Sequence, residues 1–431
     1  MDQDTRVDAF LDWFSNIGGW LDTDNVALNV FSLSEGGRGM VAVHDIPAEQ
    51  TLFTIPRSCW RKYGLHRGWR GAILCLMWEA TLPKWAGYID ILPSTFETPV
   101  FWPDEDLAEL KGTSVLYKIG KADADRDYET YVLPAMQSRP DLFRPALLST
   151  AFSLQSYHVN GSRLLSRSFQ VEKPDDHGDS PDEDAVQESA NKSSTMESSN
   201  AMDVDAQSLL PDYHEQQEGD GNPVDDNDSD SDDEDGGDVS MVPMADMLNA
   251  RYGCENAKLF YETDKLKMVS TKPIKAGEQV WNTYGDLPNC DLLRRYGHVD
   301  VLSGDVPNPA DVVEISADKI VQCVKASKPT DDESVRSRID WWLENGGDDV
   351  FVLELPAEVH LPQAMISFVR LLQLTPTAFD TIMNKSKLPK GKLKATDDDS
   401  ANVLDVVRQV LVLRGTEYVG GGDPQVRAPS P

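Results

Sequence analysis

An acidic stretch in the middle of the chain constrains the fold more than any other feature. From Glu172 to Asp238 there are 24 acidic and 2 basic residues. Aromatic residues are nearly absent, so the segment buries too little apolar surface to offset the entropy of ordering it. This predicts a disordered acidic insertion over 172–239. The segment accounts for −22 (2 − 24) of a formal charge of −33, and the sequence around it is only moderately acidic. Such a charge argues against a general phosphate-binding surface and so against direct nucleic-acid binding, which needs clustered Lys and Arg. The lysine-rich stretch NKSKLPKGKLK, Asn384 to Lys394, reads as a loop between helices or as part of a docking surface. The 431 residues, 40% of them hydrophobic, suffice for two or three domains with proper cores. A domain that spans the stretch must close around a long loop, which is tolerated because closure entropy grows slowly with length.

The five cysteines, Cys59, Cys75, Cys254, Cys290 and Cys323, form no CxxC and have no His pair at ligand spacing. A structural zinc site is not expected. Their odd number, and an N-terminus MDQDTRVDAF without basic or apolar signal regions, predict an intracellular, reducing compartment. No apolar run is long enough to span a membrane.

Val7, Phe10, Leu11 and Phe14 share one helical face before Gly18-Gly19, which predicts an N-terminal helix within 1–25. MVAV and TLFTIP read as strands around DIPAEQ, and KMVSTKPIKAGEQVWNTYG as two more strands around a turn. DIPAEQTLF and PIKAGEQVW read as carrying Ile, Ala and a Glu-Gln pair at the same offsets, predicting two similar hairpins in one small β structure. Residues 60–165 read as mostly helical, with RGAILCLMWEA a buried helix. Beyond residue 305 the pattern is helical again. ANVLDVVRQVLVLRG sets Val403, Leu404, Val407, Val410 and Leu411 along one face.

Taken singly, the chemistry-bearing stretches say little. In WNTYG, Asn282 and Tyr284 share a face if the strand runs that far, but Tyr-Gly also ends plain β-turns. GGRG, Gly36 to Gly39, lacks dinucleotide-loop spacing and opens no helix, so it reads as a strand-to-strand turn. MADMLN reads as an amphipathic turn in which Asp246 caps and Asn249 satisfies buried backbone groups.

Their order along the chain is specific. EGGRGMVAVHDIPAEQTLF, SRSFQ, PMADMLNA with ENA shortly after, GEQVWNTYG and LLRRYGHVD together resemble the SET-domain methyltransferases. The subgroup is the one typified by the Rubisco large-subunit lysine methyltransferase, and within it the fungal ribosomal-protein lysine methyltransferases. The resemblance covers nearly the whole chain outside the acidic insertion. It implies an α+β fold: a β core with a knot-like crossing, split by a helical insertion, followed by an all-helical substrate-docking domain. The implied boundaries are 26–60 and 240–303 for the core halves, 61–171 for the helical insertion and 304–431 for docking with a flexible tail.

By the same resemblance, Gly36, Gly37 and Arg38 fall on backbone contacts to S-adenosylmethionine, and Arg167 on a cofactor-contacting position. Ser168, Phe169, Gln170 and Asp246 fall on the substrate side, as does Trp102, which matches a substrate-channel aromatic of a nuclear member. Asn249 and Ala250 match the family's Asn-His pair, with Ala in place of His. Tyr284 matches the catalytic tyrosine and Tyr296 a second cofactor-side tyrosine. The implied activity is protein-lysine N-methylation without a metal, by a monomer of nucleus and cytoplasm acting on a ribosomal or other protein. Histidine methylation on the same fold, and a silent scaffold whose acidic loop binds basic proteins, are the competing readings.

Overall fold

The computed structural model describes residues 3–32, 36–59, 61–63, 68–171, 238–300, 308–328, 331–354, 361–385, 387–393 and 398–418. The predicted acidic insertion therefore lies outside the described residues, apart from Asp238 and Val239, which begin a strand. The chain divides into two compact units. Met1–Phe96 with Lys121–Asp286 form the first, and Glu97–Gly120 with Leu287–Pro431 form the second.

The strands of the first unit are β1 (Trp20–Leu21), β2 (Val26–Val30), β3 (Arg38–Ala42), β4 (Thr51–Pro56), β5 (Arg61–Tyr63), β6 (Ser168–Val171), β7 (Asp238–Met241), β8 (Asn249–Ala250), β9 (Ala257–Tyr261), β10 (Lys265–Ser270) and β11 (Gln279–Asn282). They make three small sheets, ordered β1-β4-β10-β9, β2-β3-β11-β8 and β5-β7-β6. Alternation sets the inward faces: Leu266, Met268 and Ser270 of β10 are buried and the residues between them are not. In the third sheet β7 runs antiparallel between β5 and β6, so strands from before and after the acidic stretch meet there.

The two echoed turns are not hairpins. Each carries the chain from one sheet to another, β3 to β4 and β10 to β11. The turns instead pair with each other: Ile46 N donates to Ile274 O at 2.8 Å and Ile274 N to Ile46 O at 2.9 Å. Both isoleucines are buried, so a sheet corner forms where hairpin strands would have left them apart. The third residue after each isoleucine has positive φ, 66° at Glu49 and 86° at Gly277. The Glu-Gln pairs are therefore one position out of step, Glu49 standing where the second turn has its glycine.

The helix Gly68–Glu79 buries Ala72, Ile73, Leu76 and Met77, as its composition predicts. It packs on the helix Leu154–Arg167, whose first turn is capped by Ser153 Oγ accepting from Ser156 N at 3.2 Å. That second helix ends at Arg167 and passes directly into β6.

The second unit is not all helical. Between its helices, β12 (Val312–Ser316) and β13 (Val350–Glu354) pair antiparallel. The segment VFVLE alternates, with Phe351 and Leu353 buried and Val350, Val352 and Glu354 exposed, a period that favours a strand. Phe351 packs against Trp342 and Phe368 at 6.2 and 5.4 Å between ring centroids, and Trp342 lies 5.2 Å from Phe368. In the helix Asp398–Gly415, Val403, Val407 and Val410 are buried with Val406, while Leu404 and Leu411 are exposed. Ahead of that helix, Arg370 donates to the carbonyls of Lys390 and Lys392, and Ser367 to that of Pro389. The lysine-bearing loop is thus tied down by its backbone, and Lys385, Lys387, Lys390 and Lys392 are exposed.

Candidate active site

The first unit brings the glycine turn, the MADMLNA segment and the WNTYG strand side by side, because β11 is flanked by β3 and β8. The β3–β11 pairing is antiparallel, whereas β8 runs parallel to β11, setting Trp281 opposite Asn249 and Asn282 opposite Ala250. Asn256 of ENA clamps the central strand. Its Oδ1 accepts from Trp281 N at 2.8 Å, and its Nδ2 donates to Gln279 O at 3.0 Å.

Two glycines on the β2–β3 side make room for Asn249. Its Nδ2 donates to Gln279 Oε1 at 2.7 Å. A Cβ on Gly36 would lie 2.6 Å from Asn249 Cγ, and one on Gly39 would lie 2.4 Å from Gln279 Oε1. Gly36 and Gly37 have φ of 95° and 70°, conformations in which glycine alone is unstrained. Beyond Gly37 a Cβ would meet open space. This is a cradle whose rim is backbone.

Beside it lies a buried ionic cluster. Arg38 Nη1 donates to Ile91 O at 2.6 Å. Arg163 Nε donates to Pro93 O at 2.9 Å and its Nη1 to Asn160 Oδ1 at 3.2 Å. Arg167 Nη1 donates to the backbone carbonyl of Asp246 and lies 3.8 Å from Asp246 Oδ2. Burial, and then the neighbouring Arg167, hold Arg38 below the usual guanidinium range and bring Arg163 down to about 10. Burial pushes Asp246 up to about 6, opposed by Arg167 and by a hydrogen bond from Tyr88. The Nε groups of Arg38 and Arg167 are buried and have no hydrogen-bond partner among the described residues, so two donors stand ready for an acceptor.

Tyr284 follows β11 by two residues, and its hydroxyl donates to Leu248 O at 3.3 Å. Burial, and to a lesser degree the nearby Asp246 charge, push its phenol up to about 12, against the opposing pull of Arg167. Leu248 in turn ends the tight turn Ala245–Met247, entered through Met244 at φ 78°.

The remaining candidates fall in different settings. Ser168 Oγ donates to Leu164 O at 2.6 Å, and the Phe169 ring is fully buried in the core. Gln170 lies in β6, and its side chain is outside the described residues. Trp102 and Tyr296 belong to the second unit. There Trp102 Nε1 donates to Glu97 O at 2.8 Å, and Tyr296 ends the helix Asn289–Tyr296, closed by left-handed Gly297. Tyr88 and Arg163 carry no motif and were not anticipated, and Gln279, though inside GEQVWNTYG, was not picked out as a site residue. Tyr88 reaches Asp246 across 158 positions, a separation at which sequence offers no signal.

No protein-family model matches the chain. Among solved structures, the SET domain of LSMT bound to lysine and AdoHcy aligns over 96% of this chain and 82% of its own, with a TM-score of 0.61 and 18% identity. Rubisco LSMT bound to AdoMet gives the same values. The chain has the SET-domain fold. Two sequence relatives are named as lysine methyltransferases. Ribosomal lysine N-methyltransferase 4 of Saccharomyces cerevisiae is 28% identical over 339 residues, 73% of this chain. N-lysine methyltransferase SETD6 of Mus musculus is 26% identical over 427 residues, 93% of this chain. The chain spans 59% of the yeast relative's length and 76% of the mouse relative's. Within the SET-domain fold, the glycine cradle, the arginine cluster and Tyr284 all belong to the first unit.

Proposed function

We propose that the chain is an S-adenosylmethionine-dependent protein-lysine N-methyltransferase. The observation that carries this reading is the convergence on β11 of the Gly36–Gly37 cradle, the partnerless Nε groups of Arg38 and Arg167, and the buried Tyr284 hydroxyl. A cradle of backbone next to cationic donors suits a ligand with a carboxylate and a flat heterocycle, so the residues present fit this cofactor. Gly36, Gly37, Arg38, Arg167, Asn249 and Ala250 would hold it on the first unit. When bound, S-adenosylmethionine supplies a methyl group on a sulfonium.

The chain's own task is to deliver a neutral lysine, which in water titrates near pH 10.4. An apolar channel lowers that value by desolvation, and the cationic surroundings lower it further. Tyr284 stays protonated at any working pH, since its phenol is pushed up to about 12. It therefore acts as a donor and orienting group, not as a base, and alignment of the amine provides much of the rate. Ser168 and Phe169 turn their side chains inward, which leaves their main chain for the substrate side, together with Gln170 and Asp246. The relatives' names support a protein substrate, and the yeast relative's name supports a ribosomal one.

The second unit would grip the folded target as a monomeric enzyme's docking module, with the exposed lysines of the 385–392 loop at its surface. Nucleus and cytoplasm are the compartments this assigns. No helix among the described residues is long and apolar enough to cross a membrane. The deciding experiment is transfer of labelled methyl into extract from cells lacking this protein, followed by peptide mapping. Label on lysine of one protein is expected. Label confined to histidine, or none despite cofactor binding, overturns the reading.

A further inference from the structure

The Tyr88–Asp246 contact is not accounted for by packing. Tyr88 is buried, its ring stacked on Trp13 at 5.7 Å and 15° and lying 6.3 Å from Phe10. Phenylalanine would fill that place equally well. Its hydroxyl instead donates to Asp246 Oδ2 at 2.7 Å. The Asp246 side chain is wholly buried, 3.8 Å from Arg167 Nη1, and its Oδ1 has no partner. A buried carboxylate with one oxygen unsatisfied costs stability unless something else requires it.

What it touches indicates the requirement. Arg167 grips the Asp246 backbone carbonyl. Two residues on, the Leu248 carbonyl accepts the Tyr284 hydroxyl. The turn between them starts from the strained Met244. One short segment thus links the arginine on the cofactor side to the tyrosine on the methyl-transfer side, and beyond its apolar burial it is anchored by the Tyr88 hydroxyl on Asp246.

We propose that Tyr88 and the Asp246 carboxylate are a positioning pair that holds Arg167 and the 244–248 turn in register, so that cofactor affinity and turnover require Asp246 to be ionised. This rests on the methyltransferase reading above. The groups facing the carboxylate are Tyr88, Arg167, Arg38 and Tyr284. Tyr88 and Arg167 favour the charged form, while burial favours the neutral one. Protonation removes the charge attraction for Arg167 and leaves it only the hydrogen bond to the Asp246 carbonyl, which loosens the guanidinium at the cradle.

The test uses the full chain and S-adenosylhomocysteine as probe, with affinity measured by calorimetry from about pH 5 to 8, where the substrate lysine plays no part. Wild type should lose roughly tenfold in affinity through about pH 6, the size expected for one lost charge-assisted contact. Tyr88→Phe should fold with a modestly lower melting temperature at neutral pH and move that midpoint upward, because the hydrogen bond that favours the charged form is gone. Asp246→Asn should bind weakly with no pH dependence in this range. Turnover of a methylatable protein should follow the same three profiles at its acid limb. Parallel affinity profiles in all three proteins overturn the positioning role, even when wild type binds and transfers methyl normally. Failure of wild type to bind the probe at neutral pH overturns the methyltransferase reading, and this proposal with it. Should Tyr88→Phe not fold, the Asp246→Asn profile decides alone.

Discussion

The two units bury different kinds of group. The first sinks Asp246, Arg163, Asn160, Asn282 and Gln279 into the protein beside strands. The second packs Trp342, Phe351, Phe368 and a row of valines. Most of its described ion pairs keep at least one partner partly in water, as with Lys118–Glu314 at 2.8 Å, where the side chains are 18% and 24% exposed. Both units bury cations, Arg163 in the first and Arg295, Arg338 and Arg414 in the second, but the buried carboxylates among the described residues, Glu79 and Asp246, lie in the first. A carboxylate out of water is costly, which marks where the molecule trades stability for chemistry. The second unit has the composition of a module that must hold a shape.

The largest expected effect tests that claim for the second unit. Phe368 is fully buried in its aromatic centre, and Phe368→Ala should cost about 3–5 kcal/mol there through lost transfer energy and a cavity. S-adenosylhomocysteine binding should survive at a temperature where methylation of an intact target fails and a short peptide at high concentration is still methylated. That split separates docking, which is uniform binding energy, from chemistry. Equal loss on peptide and protein would show the contrast between the units to be false.

Next comes Tyr284→Phe. Removing the hydroxyl from Leu248 O should lower turnover by roughly a hundredfold, the scale of a positioned catalytic group. Affinity for S-adenosylhomocysteine should change little. Near-normal single-turnover rates would remove Tyr284 from the mechanism.

The third sharpens the comparison through pH. Asp246 ionises in the folded protein at about 6, above its ordinary 3.8. The unfolded chain therefore releases this proton first, and the destabilisation grows as pH rises from the lower value to the higher, then stays constant. Asp246→Asn keeps an acceptor for Tyr88 and should raise melting temperature above about pH 6, by at most roughly 3 kcal/mol of stability at 1.4 per pKa unit. The gain should vanish near pH 4. A variant less stable than wild type at neutral pH would mean that the Arg167 attraction outweighs burial.

The smallest effect concerns the acidic stretch. Replacing residues 175–237 by a short Gly/Ser linker should leave melting temperature and S-adenosylhomocysteine affinity within error, since that composition supports no core. A drop of several degrees would reveal packing by the acidic stretch.

Much of this molecule was legible because local pattern and chain order suffice for it. The i, i+3, i+4 spacing of Phe10 and Phe14 predicted a helix that is there, and the glycines at 36 and 37 predicted a turn whose positive φ needs them. The order of five short blocks pointed to the SET-domain fold before any contact was known. Other features were decided only by tertiary structure. Two turns alike in sequence became sheet corners because Ile46 and Ile274 find each other across 228 positions. A segment read as helical became β13 because Phe351 and Leu353 had a core to enter on one face only. Tyr88 met Asp246 because helix packing stacked its ring on Trp13 and aimed the hydroxyl inward. Local propensity is a short-range property and can be read along a chain. The pKa of a buried acid depends on which distant groups remove its water, and that is settled only when the chain has folded.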